Sequence, residues 1–401
     1  MQINEREIEN LVRAVLSEMN TGAPKAQSPS NTKTAKVAML TAQKNIQVKE
    51  YPIPEVGDDE ILVKVEGCGV CGTDVHEWKG DPFGLIPVVL GHEGTGEIIA
   101  LGKNVKKDTA GKPLKVGDKL VTSVLACGEC PICIHHPETS NLCENQGVYG
   151  LIADSSDKHL NGWFSTHILI RKGSTFFNVT GMTLDQRMLI ELAAVAVHAV
   201  ERAKATGLLN FNSKVLVQGC GPVGQMVVAV LKTNGIRHII AVDGDAQRLQ
   251  MVKKMGAIDV INFREMPSLD DRINFVKTRC NDMGADFVFQ CTGVPAASSE
   301  IWKYVRRGGG LCEVGFFVDN GDAKINPHHD ICKKEITAIG TWTYTPSDYP
   351  TTITFVKRAG EIGLPLEELI THRFGLNNLN EAMEVNVAQK GIKVAYVNEE
   401  F

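Results

Sequence analysis

The chain has 401 residues, of which 43% are hydrophobic, and its formal net charge is −5. A chain of this length can bury two hydrophobic cores, so two domains are expected. The net charge and the absence of a basic tract argue against nucleic acid as the main partner, and no apolar run approaches the roughly 18–20 residues that span a bilayer.

Residues 1–19 predict a short amphipathic helix. Asn4 and Glu7 form a capping pair, and the apolar residues from Ile8 to Met19 fall on one helical face. Residues 20–35 predict a flexible polar linker, and the acidic residues of the helix argue against secretory or mitochondrial targeting. This tethered helix resembles the encapsulation peptides that attach enzymes to shell proteins of bacterial microcompartments. The alternative is a helix that docks on its own domain or on a sister subunit.

Two short segments predict an open metal site. Cys71–His76 reads Cys-Gly-Thr-Asp-Val-His, and residues 91–94 read Gly-His-Glu-Gly. A thiolate from Cys71, an imidazole from His92 and one carboxylate would hold Zn²⁺ and leave a fourth position for water or substrate, as a catalytic zinc requires. Asp74 would orient the His92 ring through its other nitrogen.

A second cysteine cluster predicts a closed, structural zinc site. It consists of Cys127, Cys130, Cys133 and Cys143. Two-residue spacers let successive thiolates turn toward one ion, and four of them complete a tetrahedral site. The alternative is a group of reduced surface cysteines or disulfides. With eleven cysteines in all, the chain is expected in a reducing compartment, the cytosol.

A glycine-rich turn predicts a dinucleotide site. The apolar run Lys214–Gln218 predicts a strand, and a helical pattern to about Asn234 follows the turn. The turn residues expected to contact the cofactor are Gly219, Gly221, Pro222, Val223 and Gly224. The helix N-terminus would offer free N–H groups and a partial positive charge to the pyrophosphate.

Asp243 ends the next predicted strand, 24 residues after Gly219. An acid at this place is expected to bind both ribose hydroxyls of the adenosine half, which favours NAD. The alternative is that Arg248 binds a 2′-phosphate and the cofactor is NADP.

The order of these motifs resembles the zinc-dependent medium-chain alcohol dehydrogenases, especially the polyol (sorbitol) and threonine dehydrogenase branch, over about residues 36–401. The resemblance implies an α/β fold with a Rossmann dinucleotide-binding domain and a β-rich GroES-like catalytic domain. The catalytic domain is expected over residues 36–190, the Rossmann domain over 191–340, and a return to the catalytic domain over 341–401.

By resemblance, Cys71 and His92 are zinc ligands. In the polyol branch Glu93 is also a ligand, whereas a glutamate such as Glu191 lies close to the metal or holds its water. The sequence leaves the choice between these two carboxylates open. The fourth cysteine of the structural site follows after nine residues, where the family usually has seven.

The resemblance also assigns a proton relay to Thr73 and His76, with Glu93 as a further catalytic group. It implies cofactor contacts from Thr292 and Gly315, whose alternative is ordinary strand-to-helix turns, and from Lys393, whose alternative is an exposed lysine.

The predicted function is zinc-assisted hydride transfer between NAD(H) and a small alcohol, a polyol or the matching aldehyde or ketone. One catalytic and one structural zinc per subunit and a homodimer or homotetramer are expected. Inside a microcompartment the enzyme would recycle NAD. The alternatives are a threonine-type amino-alcohol dehydrogenase, a non-catalytic zinc-binding scaffold and a zinc-free quinone or enone reductase. Trp78, Phe83 and Trp163 are candidates to line the substrate site, with ordinary packing as the alternative.

Overall fold

The computed structural model describes residues 33–155 and 158–400. The helix predicted over residues 1–19 and most of the linker predicted over 20–35 lie outside these residues. The residues from Ala35 onward form one compact unit. Among the helices that the structure describes, none is long and apolar enough to cross a membrane.

The strands are β1 (Thr34–Ala42), β2 (Asn45–Pro52), β3 (Ile61–Val70), β4 (Val88–Val89), β5 (Glu93–Leu101), β6 (Lys119–Thr122), β7 (His167–Ile170), β8 (Phe176–Asn178), β9 (Lys214–Gln218), β10 (His238–Asp243), β11 (Asp259–Asn262), β12 (Ala285–Gln290), β13 (Val305–Glu313), β14 (Thr337–Gly340), β15 (Ile370–Phe374) and β16 (Lys393–Val397). The α-helices are α1 (Gly72–Gly80), α2 (Pro131–His135), α3 (Leu184–Met188), α4 (Ile190–Ala205), α5 (Pro222–Thr233), α6 (Ala246–Met255), α7 (Leu269–Arg279), α8 (Pro295–Tyr304), α9 (Tyr349–Glu361) and α10 (Leu379–Val387).

A mostly antiparallel sheet carries the two segments of the predicted open metal site. Its strands run in the order β15, β16, β3, β5, β6, β8, with β7 also pairing β3, and a separate sheet has the order β2, β1, β4. Strands β3 and β5 are antiparallel, with Gly69 opposite Glu93. This register brings Cys71, which follows β3, next to His92, which precedes β5.

The second large sheet is parallel throughout and has the order β11, β10, β9, β12, β13, β14. Its central strand β9 is buried on both faces, because Val215 and Val217 belong to one core cluster and Leu216 to another. A strand covered on both faces reads as a continuous apolar run, as Lys214–Gln218 does. The strand order reverses between β9 and β12, the place where open parallel sheets bind ligands at their carboxyl ends.

The last strand returns to the first sheet. Strand β16 pairs antiparallel with β3, with Val394 opposite Val70 and Ala395 opposite Gly69. The end of the chain therefore lies beside the strand that leads to Cys71. The two kinds of sheet confirm the predicted α/β class. The boundaries predicted after residues 190 and 340 fall at the start of α4 and at the end of β14.

Candidate active site

Three side chains with metal-binding atoms converge where β3 ends and β5 begins. Cys71 precedes helix α1 as its N-cap, His92 precedes β5, and Glu93 is the first residue of β5. One ligand atom from each lies within 4.8 Å of the others. A thiolate, an imidazole and a carboxylate suit Zn²⁺ and leave one tetrahedral position for a further ligand.

The buried carboxylate of Asp74 links the segments that carry Cys71 and His92. Asp74 is fully buried and accepts hydrogen bonds from the amides of Cys71 at 2.9 Å and of Gly91 at 3.0 Å. Its Oδ1 lies 3.3 Å from His92 Nδ1, which leaves Nε2 as the metal-binding nitrogen. Burial alone lowers the pKa of His92, but the charges of Asp74 and Cys71 outweigh it and raise this pKa well above its ordinary value. A metal that binds here must therefore displace a proton from the imidazole.

Glu93 forms an ion pair with the ammonium group of Lys393, a contact that the sequence analysis did not predict. Lys393 Nζ lies 2.5 Å from Glu93 Oε1, and both residues are 2% exposed. Burial lowers the pKa of Lys393, but the charges of Glu93 and Cys71 outweigh this effect and raise it above its ordinary value. Because β16 runs beside β3, the Lys393 side chain reaches the metal centre. Its expected contact with the cofactor stays a prediction.

Glu191, the second candidate carboxylate, lies in the first turn of α4. Burial and the charge of Glu93 raise its pKa to about 7, and the hydroxyl of Tyr344 donates a hydrogen bond to it. Both carboxylates are therefore close to the centre. Glu93 has an oxygen within 4.8 Å of the ligand atoms of both Cys71 and His92, and Glu191 is not part of that set.

The two residues of the predicted proton relay share one face of α1, because residues three apart lie one turn apart. Thr73 is buried, with its Oγ1 3.7 Å from Cys71 Sγ. His76 is exposed. Burial and the charge of Lys79 lower the pKa of His76, so its imidazole is neutral and able to accept a proton near pH 7.

The four clustered cysteines form a second centre, and their sulfurs lie within 4.8 Å of one another. The Cys127 amide donates to Cys143 Sγ and the Cys130 amide donates to Cys127 Sγ, both at 3.3 Å. Hydrogen bonds from the amides of Glu129 and Cys130 lower the pKa of Cys127 to about 6. None of the cysteines in the described part of the chain forms a disulfide. The four-thiolate donor set fits a structural Zn²⁺, and the turn Pro137–Leu142 closes the longer loop before Cys143.

The glycine-rich turn leads directly from β9 into α5. Gly219 has φ +92°, and a Cβ there would lie 2.4 Å from Thr292 Cγ2. A Cβ on Gly224 would come 1.8 Å from the Gly219 carbonyl oxygen, whereas one on Gly221 would meet nothing within 4 Å. Pro222 and Val223 open α5 and are partly exposed. A side chain would therefore clash at Gly219 and at Gly224 but not at Gly221. The space at Gly221 would let a pyrophosphate approach the backbone of the turn.

Asp243 joins the end of β10 to this turn. Its Oδ2 accepts the amide of Cys220 at 2.7 Å, and its Oδ1 accepts those of Gly244 at 2.7 Å and Asp245 at 2.9 Å. Arg248 lies in the first turn of α6 and donates its amide to Asp245. A second cation, which the sequence did not indicate, approaches the same place: Arg264 Nε lies 3.0 Å from where a Cβ on Gly244 would stand.

The other predicted cofactor residues lie together at the carboxyl ends of β12 and β13. A Cβ on Gly315 would lie 2.0 Å from the carbonyl oxygen of Thr292, so the two turns are in direct contact. This is the same edge of the parallel sheet that holds the glycine-rich turn, since Thr292 also contacts Gly219.

Of the three aromatic residues considered for the substrate site, two are core residues. Trp78 is 5% exposed and Trp163 is 0% exposed, whereas Phe83 is 45% exposed. Phe83 meets Phe317, which stacks on Trp342. Neither Phe317 nor Trp342 belongs to a motif with a recognisable spacing. Their contact with Phe83 could therefore be identified only in the folded chain.

Comparison with known proteins agrees with this arrangement. Residues 57–178 match the family described as alcohol dehydrogenase GroES-like domain, and residues 222–358 match the family described as zinc-binding dehydrogenase. The chain is 33% identical over 357 residues to sorbitol dehydrogenase of Bacillus subtilis, covering 87% of this chain and 92% of that protein. It is 29% identical to L-threonine 3-dehydrogenase of Caldanaerobacter subterraneus, over 86% of this chain and 93% of that protein. The structure of an alcohol dehydrogenase from Thermotoga maritima superposes with a TM-score of 0.85 at 30% identity, over 92% of this chain and 100% of that one.

Proposed function

Because this chain belongs to the zinc-dependent medium-chain alcohol dehydrogenases, we propose that it interconverts a small alcohol or polyol and the matching aldehyde or ketone with NAD(H). In the oxidising direction the substrate C–H bond breaks and its hydride passes to the nicotinamide, while the hydroxyl O–H bond breaks and its proton goes to solvent. The convergence of Cys71, His92 and Glu93 at the end of β3 is the observation that carries this proposal.

We propose that Cys71, His92 and Glu93 hold the catalytic zinc, which when bound supplies a Lewis acid for the substrate oxygen. Asp74 orients the His92 ring, since its own position is fixed by two backbone amides. Lys393 neutralises Glu93, which would otherwise be a buried charge without a partner among the protein groups. Cys127, Cys130, Cys133 and Cys143 would hold the structural zinc.

Thr73 Oγ1 would receive the hydroxyl proton and pass its own proton outward. Its position 3.7 Å from Cys71 Sγ supports this role. His76 would accept the proton at the surface, and its lowered pKa keeps the imidazole free to do so near neutral pH. Both side chains lie on one helical face, which gives the proton a short route from the buried centre to water.

NAD is proposed as the cofactor, with the carboxylate of Asp243 as the main support. Three amides hold this group at the end of β10, where a 2′-phosphate would meet its negative charge. Arg248 lies in α6 and Arg264 follows β11, and kinetics with NAD and with NADP test the preference.

The test uses full-length protein with its zinc content measured. We expect two zinc ions per subunit, and NAD reduction with alcohols or polyols or NADH oxidation with aldehydes or ketones. Cys71→Ser is the matched inactive variant, and Cys332→Ser, which removes an exposed cysteine, is the control. Zinc-loaded protein that turns over no member of such a panel with either nicotinamide cofactor would refute the proposal.

We propose that residues 1–19 form an encapsulation peptide that binds a shell protein. This proposal rests on the amphipathic sequence alone. A fusion of residues 1–35 to a fluorescent protein should enter microcompartments when it is expressed with their shell proteins. A fusion in which Leu11 and Leu16 are replaced by Glu should remain outside them.

A further inference from the structure

Two exposed aromatic rings and one partly buried ring, from separate parts of the chain, meet at one place. Phe317 and Trp342 stack with their ring centroids 4.7 Å apart and an interplanar angle of 21°, and Phe83 meets Phe317 edge to face at 6.3 Å. Phe83 is 45% exposed and Trp342 is 41% exposed. We call Phe83, Phe317 and Trp342 the aromatic wall.

Two residues of the aromatic wall stand close in sequence to residues of the two reactive centres. Trp342 stands two residues before Tyr344, whose hydroxyl donates to Glu191 at the metal centre. Phe317 stands two residues after Gly315, which is packed against the carbonyl of Thr292 at the dinucleotide edge. The wall is therefore built from segments that also carry groups of the metal centre and of the dinucleotide edge.

Trp342 is held in an exposed position by the surrounding structure. In an extended segment Trp342 and Tyr344 would point to the same side. Thr343 between them has φ +45°, and Tyr344 is 2% exposed while Trp342 is not buried. A β-branched residue is unfavourable in this conformation and persists only where its surroundings enforce it. One such restraint is the side-chain amide of Asn141, from the lobe with the four cysteines, which donates to the carbonyl of Trp342 at 2.7 Å.

A wall of this composition suits an apolar carbon skeleton. Three aromatic rings offer a large apolar surface, and their only hydrogen-bonding group is the indole N–H of Trp342. A polyol packed against these rings would lose water from several hydroxyls without gaining partners, which is unfavourable. An alkyl chain or a ring would instead gain from burial.

We infer that the aromatic wall binds the carbon skeleton of the substrate, and that the preferred substrates are alcohols or aldehydes with an apolar body of several carbons rather than polyols. This inference rests on the proposed function, because it concerns the same site. It narrows the substrate class that the sequence left open.

The test compares hexan-1-ol and benzyl alcohol with sorbitol, using zinc-loaded full-length protein. We expect kcat/KM at least 10-fold higher for the two apolar alcohols. Trp342→Ala and Phe317→Ala should each lower kcat/KM for the apolar alcohols about 10-fold, mainly through KM, and change it less than about 2-fold for ethanol, which is too short to cover the wall. Trp342→Phe should retain most of the preference. Phe211→Ala is the matched control, because Phe211 is 68% exposed and precedes β9 at the opposite edge of the sheet.

Binding is measured separately by calorimetry with NADH present, under which the alcohols do not react. Tighter binding of hexan-1-ol than of sorbitol, lost in Trp342→Ala, supports the inference even if no alcohol is oxidised; absent turnover then counts only against the proposed function. The inference is overturned if sorbitol binds as well as hexan-1-ol, or if the two wall variants weaken all alcohols equally.

Discussion

Lys393 Nζ and Glu93 Oε1 lie 2.5 Å apart in a pair that is buried on both sides, although 300 residues separate them in sequence. The carboxylate that completes the metal-binding set is therefore also the partner of a buried ammonium group. Each charge compensates the other, and replacing either alone leaves an unpaired charge in the interior.

A double-mutant cycle tests this pair. Glu93→Gln and Lys393→Met should each lower the free energy of unfolding by about 3–5 kcal/mol, and the double variant should lose at least about 2 kcal/mol less than the sum. The measurement is the midpoint of urea unfolding. The exposed pair of Lys103 and Asp58 serves as the matched control and should show no measurable coupling. Additive losses at Glu93 and Lys393 would contradict the relationship.

Gly69 should control the position of Glu93. A Cβ on Gly69 would lie 2.0 Å from Glu93 Oε2 and 2.9 Å from Lys393 Cε, so Gly69→Ala must displace the pair. We expect at least a 10-fold loss of affinity at one zinc site, measured by competition with a chelator. Gly72→Ala is the control, because a Cβ there meets nothing within 4 Å. Unchanged zinc affinity in Gly69→Ala would show that the carboxylate does not contribute to metal binding.

Loss of the catalytic zinc and loss of the structural zinc should affect activity and thermal stability differently. Cys71→Ser should reduce the zinc content by one ion per subunit and abolish activity with little change in melting temperature. Cys143→Ser should also remove one zinc but lower the melting temperature by roughly 3–8 °C, because the metal folds its loop. Zinc analysis and thermal unfolding of both variants check this. A Cys143→Ser protein that keeps both ions would exclude the four-cysteine site.

Asp243 should determine the choice of cofactor. Asp243→Asn retains an oxygen for the amides of Gly244 and Asp245 but loses the negative charge. The ratio of kcat/KM for NAD to that for NADP should fall about 10-fold or more. Asp245→Asn, which changes the next acid along the chain, is the control and should alter the ratio much less. Equal ratios in wild type and Asp243→Asn would remove the basis for the NAD preference.

Glu77 should make stability depend on pH. Its side chain is fully buried, and burial together with the neighbouring Asp81 carboxyl raises its pKa to about 7. Because the folded protein binds this proton more tightly than the unfolded chain, Glu77 costs stability as pH rises from about 4.5 through 7. Glu77→Gln should therefore be more stable than wild type at pH 8 by about 1–2 kcal/mol and nearly equal to it at pH 5. Melting temperatures at both pH values provide the measurement, and an equal difference at both would refute this role.

Several parts of the site could be predicted from local spacing. Cys127, Cys130 and Cys133 occupy one loop, and their separation alone indicates a shared ion. The strand, helix and strand unit that binds the dinucleotide could also be anticipated, because Gly219 follows its first strand and Asp243 ends its second. The substrate-lining candidates Trp78 and Trp163 show the limit of this approach: both stand near the motifs in sequence, yet both are buried in the core.

The clustered cysteines and the glycine-rich turn could be recognised in the sequence, because residues at such short spacings act within single loops whose geometry depends on few neighbours. Charges and rings that meet across long separations could not be recognised in this way. Pairing of β16 with β3 brings Lys393 to Glu93, and the ends of three separate segments bring Phe83, Phe317 and Trp342 together. Such contacts depend on the register and packing of whole sheets, which no local pattern of residues encodes.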